Sequence, residues 1–149
     1  MRFALKKYHS LQFAQIILPL NLKGTFTYKV PADFLDKIEV GMRVLVPFRG
    51  KKIYTGIVAE LFDDFEGNFV PKEIINLLDN QPIVPKQQLD FWNWLSSYYL
   101  CNLGEIYRLA FPSSLKLESE TYVRLLSERT IDWQNLDANE TYLLQALEV

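Results

Sequence analysis

The chain has 149 residues, 49% of them hydrophobic and 14% aromatic, with a net charge of −2. That length suffices for one full core and the start of a second. One histidine and one cysteine exclude an internal disulfide and an ordinary zinc site. With no phosphate-loop pattern and no paired nucleophile and base, the residue inventory also argues against catalysis in this chain. The longest apolar stretch, residues 11–22, is too short for a membrane span and carries Gln12 and Gln15, so a cytoplasmic protein is expected.

Charge is divided along the chain. Residues 1–58 hold ten basic side chains against three acidic ones, a balance of +7, whereas residues 59–149 hold six against fifteen, a balance of −9. A polyanionic partner is therefore expected to meet the first third.

In chain order, residues 12–18 form an apolar, β-branched run stopped by Pro19, and residues 26–30 alternate before Pro31, which predicts two strands joined by a turn at 21–24. Residues 31–38 suit one or two helical turns. Residues 43–48 predict a third strand with Val44 and Val46 on one face, followed by a basic loop at 49–52. A strand at 54–61, an acidic solvent loop at 63–68 and a fifth strand at 72–78 with Ile74 inward complete a small curled antiparallel β domain.

Leu89, Trp92, Leu95 and Tyr99 then recur at helical spacing over 85–100, which predicts a core helix stopped by Gly104, and residues 104–110 predict a second, shorter one. The fold class is thus α+β, with about five strands and a C-terminal amphipathic helix pair in residues 1–112. Residues 113–119 read as a polar hinge, 121–126 as a strand and 137–149 as a helix opened by the capping-box pattern Asp137 to Glu140. That last helix ends without a cap, so the chain is expected to stop inside its second domain, 113–149.

Several short segments occur in one order: I-I-L-P at 16–19, T-F-T-Y at 25–28, G-M-R-V-L-V-P-F at 41–48, G-I-V at 56–58, W-L-S-S-Y-Y at 94–99, Gly104-Glu105 and A-F-P at 110–112. Over residues 12–112 this order resembles the amino-terminal domain of the PriA, or primosomal protein N′, family of replication-restart helicases, and the remainder resembles the start of that family's winged-helix domain. The resemblance implies a domain that holds the 3′ end of a nascent strand at a stalled fork, with the terminal base in a small pocket. The family's F-D-Y segment falls on Phe26, Thr27 and Tyr28, its pocket glycine near Arg49 and Gly50, and its pocket lysine on Lys72. Thr27 in place of the aspartate alters the groups offered to a base edge, and Arg49 in place of the glycine either shifts the loop or lines the pocket.

The residue chemistry is compatible with that role, because Phe26 offers a stacking surface while Arg49, Lys51, Lys52 and Lys72 neutralise phosphate. The strand pattern itself leaves Phe26 and Tyr28 free either to stack or to pack inward, since both fall on one face and Thr27 on the other. By resemblance the partners are single-stranded and forked DNA, with primosome proteins and single-strand-binding protein met through the parent. ATP, magnesium and zinc are expected only in parent domains outside this chain. The rival reading is a small β-barrel adaptor that binds a protein through exposed aromatics.

Overall fold

In the computed structural model, which describes residues 12–50, 52–117, 137 and 142, apolar alternation becomes five strands and two helices. The elements are β1 (Phe13–Ile17), β2 (Phe26–Lys29), β3 (Arg43–Phe48), β4 (Lys52–Phe62), β5 (Asn76–Leu77), α1 (Lys86–Tyr99) and α2 (Leu103–Ala110), with 3₁₀ turns at Ala32–Phe34 and Ser113–Leu115. The expected α+β class is what forms. The chain divides into two compact units, Met1–Ser119 and Glu120–Val149. The strand expected at 121–126 lies outside the described residues, as does the helix expected at 137–149 apart from Asp137 and a helical Tyr142.

The strands form one antiparallel sheet in the order β2-β1-β4-β3-β5. The segment expected as a long fifth strand instead serves two neighbours. Lys29 of β2 donates its N–H to the Lys72 carbonyl (2.9 Å) and accepts from the Ile74 N–H (3.1 Å), after which Ile75 and Leu78 donate to Leu45 and Arg43 of β3 (2.8 and 3.0 Å). One short segment thus bonds both edges of the sheet, which curls it and leaves little unpaired edge. Only two of its residues keep regular strand geometry.

Curling makes one face an interior. Ala14, Ile16, Tyr28, Val30, Val44, Val46, Val58 and Ile74 are buried there, and full burial of a side chain such as Ile16 is worth about 1.5–3 kcal/mol. The pairing of β1 with β4 slips between Gln15 and Ile16, a bulge that lets Ile16 and Val58 face inward while Ile17 and Ile57 face the helices. On that outer face Ile17 and Ile57 pack with Val84, Leu89, Trp92, Leu103, Ile106 and Tyr107.

The helices depart from expectation in two places. Leu89 and Trp92 are buried as the periodicity requires, but Tyr99 is 67% exposed. α1 stops at Leu100, which takes the left-handed conformation at φ 53°, and Tyr98, Tyr99 and Leu100 are exposed. Gly104 does not stop α1; it lies in the first turn of α2, where a Cβ would collide with the carbonyls of Leu18 and Leu20. Its missing side chain is what lets α2 lie against the strand end. α2 is capped by Asn102, whose main-chain N–H donates to the Glu105 carboxylate (3.0 Å).

Residues 113–117, expected as a hinge, are tied to the first unit. Thr55 is fully buried and donates both its N–H (2.9 Å) and its hydroxyl (2.8 Å) to the Leu117 carbonyl. Arg43 reaches the Leu115 carbonyl (3.0 Å) while pairing with Asp79 at 2.6 Å.

Candidate functional site

The strand β2 ends the sheet beside the shared segment, and its side chains alternate as the pleat requires. Phe26 and Tyr28 lie across from Ile16 and Ala14, so both face the interior, but they do so differently. Tyr28 is only 4% exposed, and its hydroxyl donates to the Pro47 carbonyl (3.1 Å). Burial raises the Tyr28 phenol to about 12, so it is a neutral donor at physiological pH. Phe26 is half-buried and meets the Phe48 ring edge-on at 5.1 Å. Phe48 in turn meets Tyr54 edge-on at 6.1 Å.

A cavity of about 330 Å³ opens over these rings, lined by Phe26, Thr27, Tyr28, Pro47, Phe48, Arg49, Phe69, Val70 and Lys72. Five of the residues singled out in the sequence therefore converge: Phe26, Thr27, Tyr28, Arg49 and Lys72. Gly50 does not line the cavity. Lys52 does not line it either, although it lies directly across from Phe48 and projects from the same face of the sheet. Lys51 lies outside the described residues.

Thr27 contributes main chain. Its hydroxyl accepts from the Gln15 amide on the opposite face (3.1 Å). Lys29 turns its N–H and C=O away from β1 to residues 72 and 74, while Val30 donates back to Gln12, the residue before β1. The two-residue repeat of a strand turns the N–H and C=O of Thr27 the same way as those of Lys29, toward the segment that carries Val70 and Lys72. A donor and an acceptor thus stand side by side at the edge of β2, next to the half-buried Phe26 ring.

The cations flank this edge. Lys72 is exposed, whereas nearby Lys29 is held by Glu73 at 2.9 Å. Arg49 is exposed and lies over the Phe48 ring with its guanidinium carbon 5.7 Å from the centroid. Its φ is 38° and that of Gly50 is 67°, so the arginine occupies a left-handed conformation suited to glycine. The turn keeps a glycine-like backbone at 49 and places an arginine side chain at the cavity.

Phe48, Phe69 and Val70 were absent from the sequence-based site. Phe48 was detectable, because it shares the parity of the inward Val44 and Val46. Phe69 and Val70 stand as an isolated apolar pair after an acidic stretch, a weaker signal. No cluster of three metal-ligating side chains occurs among the described residues.

The model of the PriA 3′ DNA-binding domain matches residues 15–112. The chain belongs to the PriA 3′ DNA-binding domain family. Curated relatives named replication restart protein PriA agree with that placement. The chain is 32% identical to the one from Haemophilus influenzae over 139 residues, covering 91% of this chain and 18% of that protein. It is 35% identical to the one from Buchnera aphidicola over 104 residues (68% and 14%). It is 30% identical to the one from Bacillus subtilis over 119 residues (77% and 15%). The chain therefore spans less than a fifth of the length of these relatives. The matched span of the family model encloses β2, the turn at Arg49 and Lys72, and so the whole cavity.

Proposed function

We propose that the cavity beside β2 binds the 3′-terminal nucleotide of a DNA strand. The observation that carries this reading is the convergence of an aromatic ring, a free main-chain donor and acceptor, and two cations on one cavity of about 330 Å³. That volume sits at the low end for a small-ligand site, which suits one nucleotide and not a length of duplex.

Each part has a task. The exposed side of Phe26 stacks on the base, a contact worth about 1–3 kcal/mol that any base can make. The N–H and C=O of Thr27 meet the base edge, where every base offers an acceptor or a donor, so recognition tolerates sequence. Lys72 and Arg49 neutralise the phosphates that lead away from the terminal residue. Thr27 reads with its main chain, and its hydroxyl is engaged with Gln15 on the other face; substitution of the side chain therefore leaves the edge contact in place.

In a protein of the relatives' length, this domain would hold the nascent 3′ end at a forked DNA during replication restart in the cytoplasm. Helicase activity, with its ATP, magnesium and zinc, and contacts with primosome proteins and single-strand-binding protein would belong to other parts of that protein. The residues of this cavity supply a stacking ring, main-chain hydrogen-bonding groups and cations for binding.

The test is fluorescence anisotropy of a labelled single strand ending in a 3′ hydroxyl, against the same strand ending in a 3′ phosphate and one blocked at its 5′ end. A pocket sized for a terminal nucleotide binds the 3′ hydroxyl strand best. Affinity falls with salt at a log–log slope near −0.7 per phosphate contacted. Lys72→Ala weakens binding and leaves the melting temperature unchanged. Equal affinity for all three strands would refute end recognition.

A further inference from the structure

The loop after β4 was expected to be no more than a polar solvent loop, yet its Phe65 and Phe69 continue a run of aromatic rings that begins with Phe62 at the end of β4 and Phe13 of β1. Phe62 stacks on Phe13 of β1 (5.8 Å, 25°), Phe13 meets Phe65 (5.7 Å, 39°), and Phe65 meets Phe69 nearly edge-on (4.9 Å, 68°). Gly67 lies against the Phe65 ring so closely that a Cβ would collide with it. The loop is thus folded around Phe65. Its far end delivers Phe69 and Val70 to the wall of the cavity.

These two residues are exposed in a way the fold does not require: Phe69 is 59% exposed and Val70 91%. Apolar surface held open at the rim of a largely apolar cavity gains most when a ligand covers it. The ring of Phe69 meets the Phe65 ring edge-on, and Phe65 is only half-buried. Phe65, Phe13 and Phe62 hold Phe69 in place from the sheet.

Resting on the reading of the cavity as a nucleotide site, we infer that Phe69 is a second stacking wall, and that the terminal base lies between Phe26 and Phe69. Phe13, Phe65 and Gly67 are positioning residues. They touch no ligand themselves and act by fixing where the Phe69 ring stands. Val70 lines the cavity beside Phe69. An aromatic wall on each side of the base makes the site respond to the presence of a base and not to its identity, since every base has two π-faces.

The experiment measures anisotropy of the whole chain with a 3′ hydroxyl strand whose terminal nucleotide either carries its base or is abasic, at one salt concentration. Phe69→Ala is expected to weaken binding of the intact strand at least fivefold, with the melting temperature unchanged, and Phe69→Tyr to retain wild-type affinity. Gly67→Ala, which displaces Phe65, is expected to weaken binding in the same direction while Phe69 itself is intact. On the abasic strand the deficit of Phe69→Ala disappears, because no base remains to be held.

A deficit that persists on the abasic strand would overturn the stacking role. Wild-type affinity in Phe69→Ala, with binding lost in Phe26→Ala, would overturn the second wall and leave the nucleotide site standing. Absence of 3′-end preference in the wild-type chain would overturn both.

Discussion

Phe26→Ala separates core packing from the base stacking proposed for the same ring. Full removal of a buried phenylalanine costs about 3–5 kcal/mol. Phe26 is half-buried, so roughly half of that applies, near 2 kcal/mol, including the lost edge contact with Phe48 at 5.1 Å. A domain of this size has about 5–15 kcal/mol in hand, so it stays folded at room temperature while its melting temperature falls by roughly 10 °C. In the proposed site the exposed side of the ring stacks on the terminal base, so affinity for a 3′ hydroxyl strand is expected to fall by about 1–3 kcal/mol, roughly five- to 150-fold. Thermal melting by circular dichroism and anisotropy at 20 °C on the same preparation read the two effects apart. A lowered melting temperature with unchanged affinity would show that the ring serves the core alone and would refute the site. Phe26→Leu sharpens the result, because it refills most of the core volume without restoring a flat stacking face.

Arg49→Gly should keep or raise the melting temperature, since glycine accepts the φ of 38° that costs an arginine about 1 kcal/mol; it should also weaken phosphate contacts and widen the preference for a 3′ hydroxyl over a 3′ phosphate. A fall in melting temperature would mean that the guanidinium over Phe48 matters more than the backbone. Tyr28 is neutral in the fold up to about 12, whereas an unfolded chain ionises near pH 10. Its share of stability is complete below pH 10 and is lost as pH rises toward 12, about 2–3 kcal/mol in all. Tyr28→Phe, followed by denaturant unfolding at several alkaline pH values, should remove that part of the decline. Burial alone would raise the Asp79 carboxyl, but side-chain and main-chain hydrogen bonds from Arg43 outweigh it and hold the group below the usual carboxylate range. Stability from this pair is present at neutral pH and lost on acidification through that lowered range. Asp79→Asn should cost about 1–3 kcal/mol at pH 7, because the amide oxygen still accepts from Arg43 but the partly buried guanidinium loses its charge partner, and should flatten the acid limb in urea melts.

Much of this protein was legible without coordinates, and the reason is periodicity. Alternation at residues 13–17, 26–29 and 43–48 dictates strands and their apolar faces, because successive side chains of a strand point to opposite sides. Spacing at Leu89 and Trp92 dictates the buried face of α1 in the same manner. The segment carrying Phe26 was recognisable through its place in the order of short motifs along the chain, and Arg49 and Lys72 through the family positions that fall on them.

What periodicity does not contain is which element covers which. It assigned Tyr99 to the core because of its spacing, while the left-handed Leu100 ends the helix there and leaves the ring exposed. It read Gly104 as a helix stop, although the residue is small because α2 approaches the carbonyls of Leu18 and Leu20. Above all, it drew residues 72–78 as one ordinary strand. Only the folded chain shows that this segment bonds β2 and β3 at once. That double pairing sets Lys72 at the cavity, while the phenylalanine run from β4 places Phe69 there. Main-chain hydrogen bonds between strands distant in sequence are made by groups that every residue possesses, so no side-chain pattern records them, and the site they assemble is decided by the tertiary fold alone.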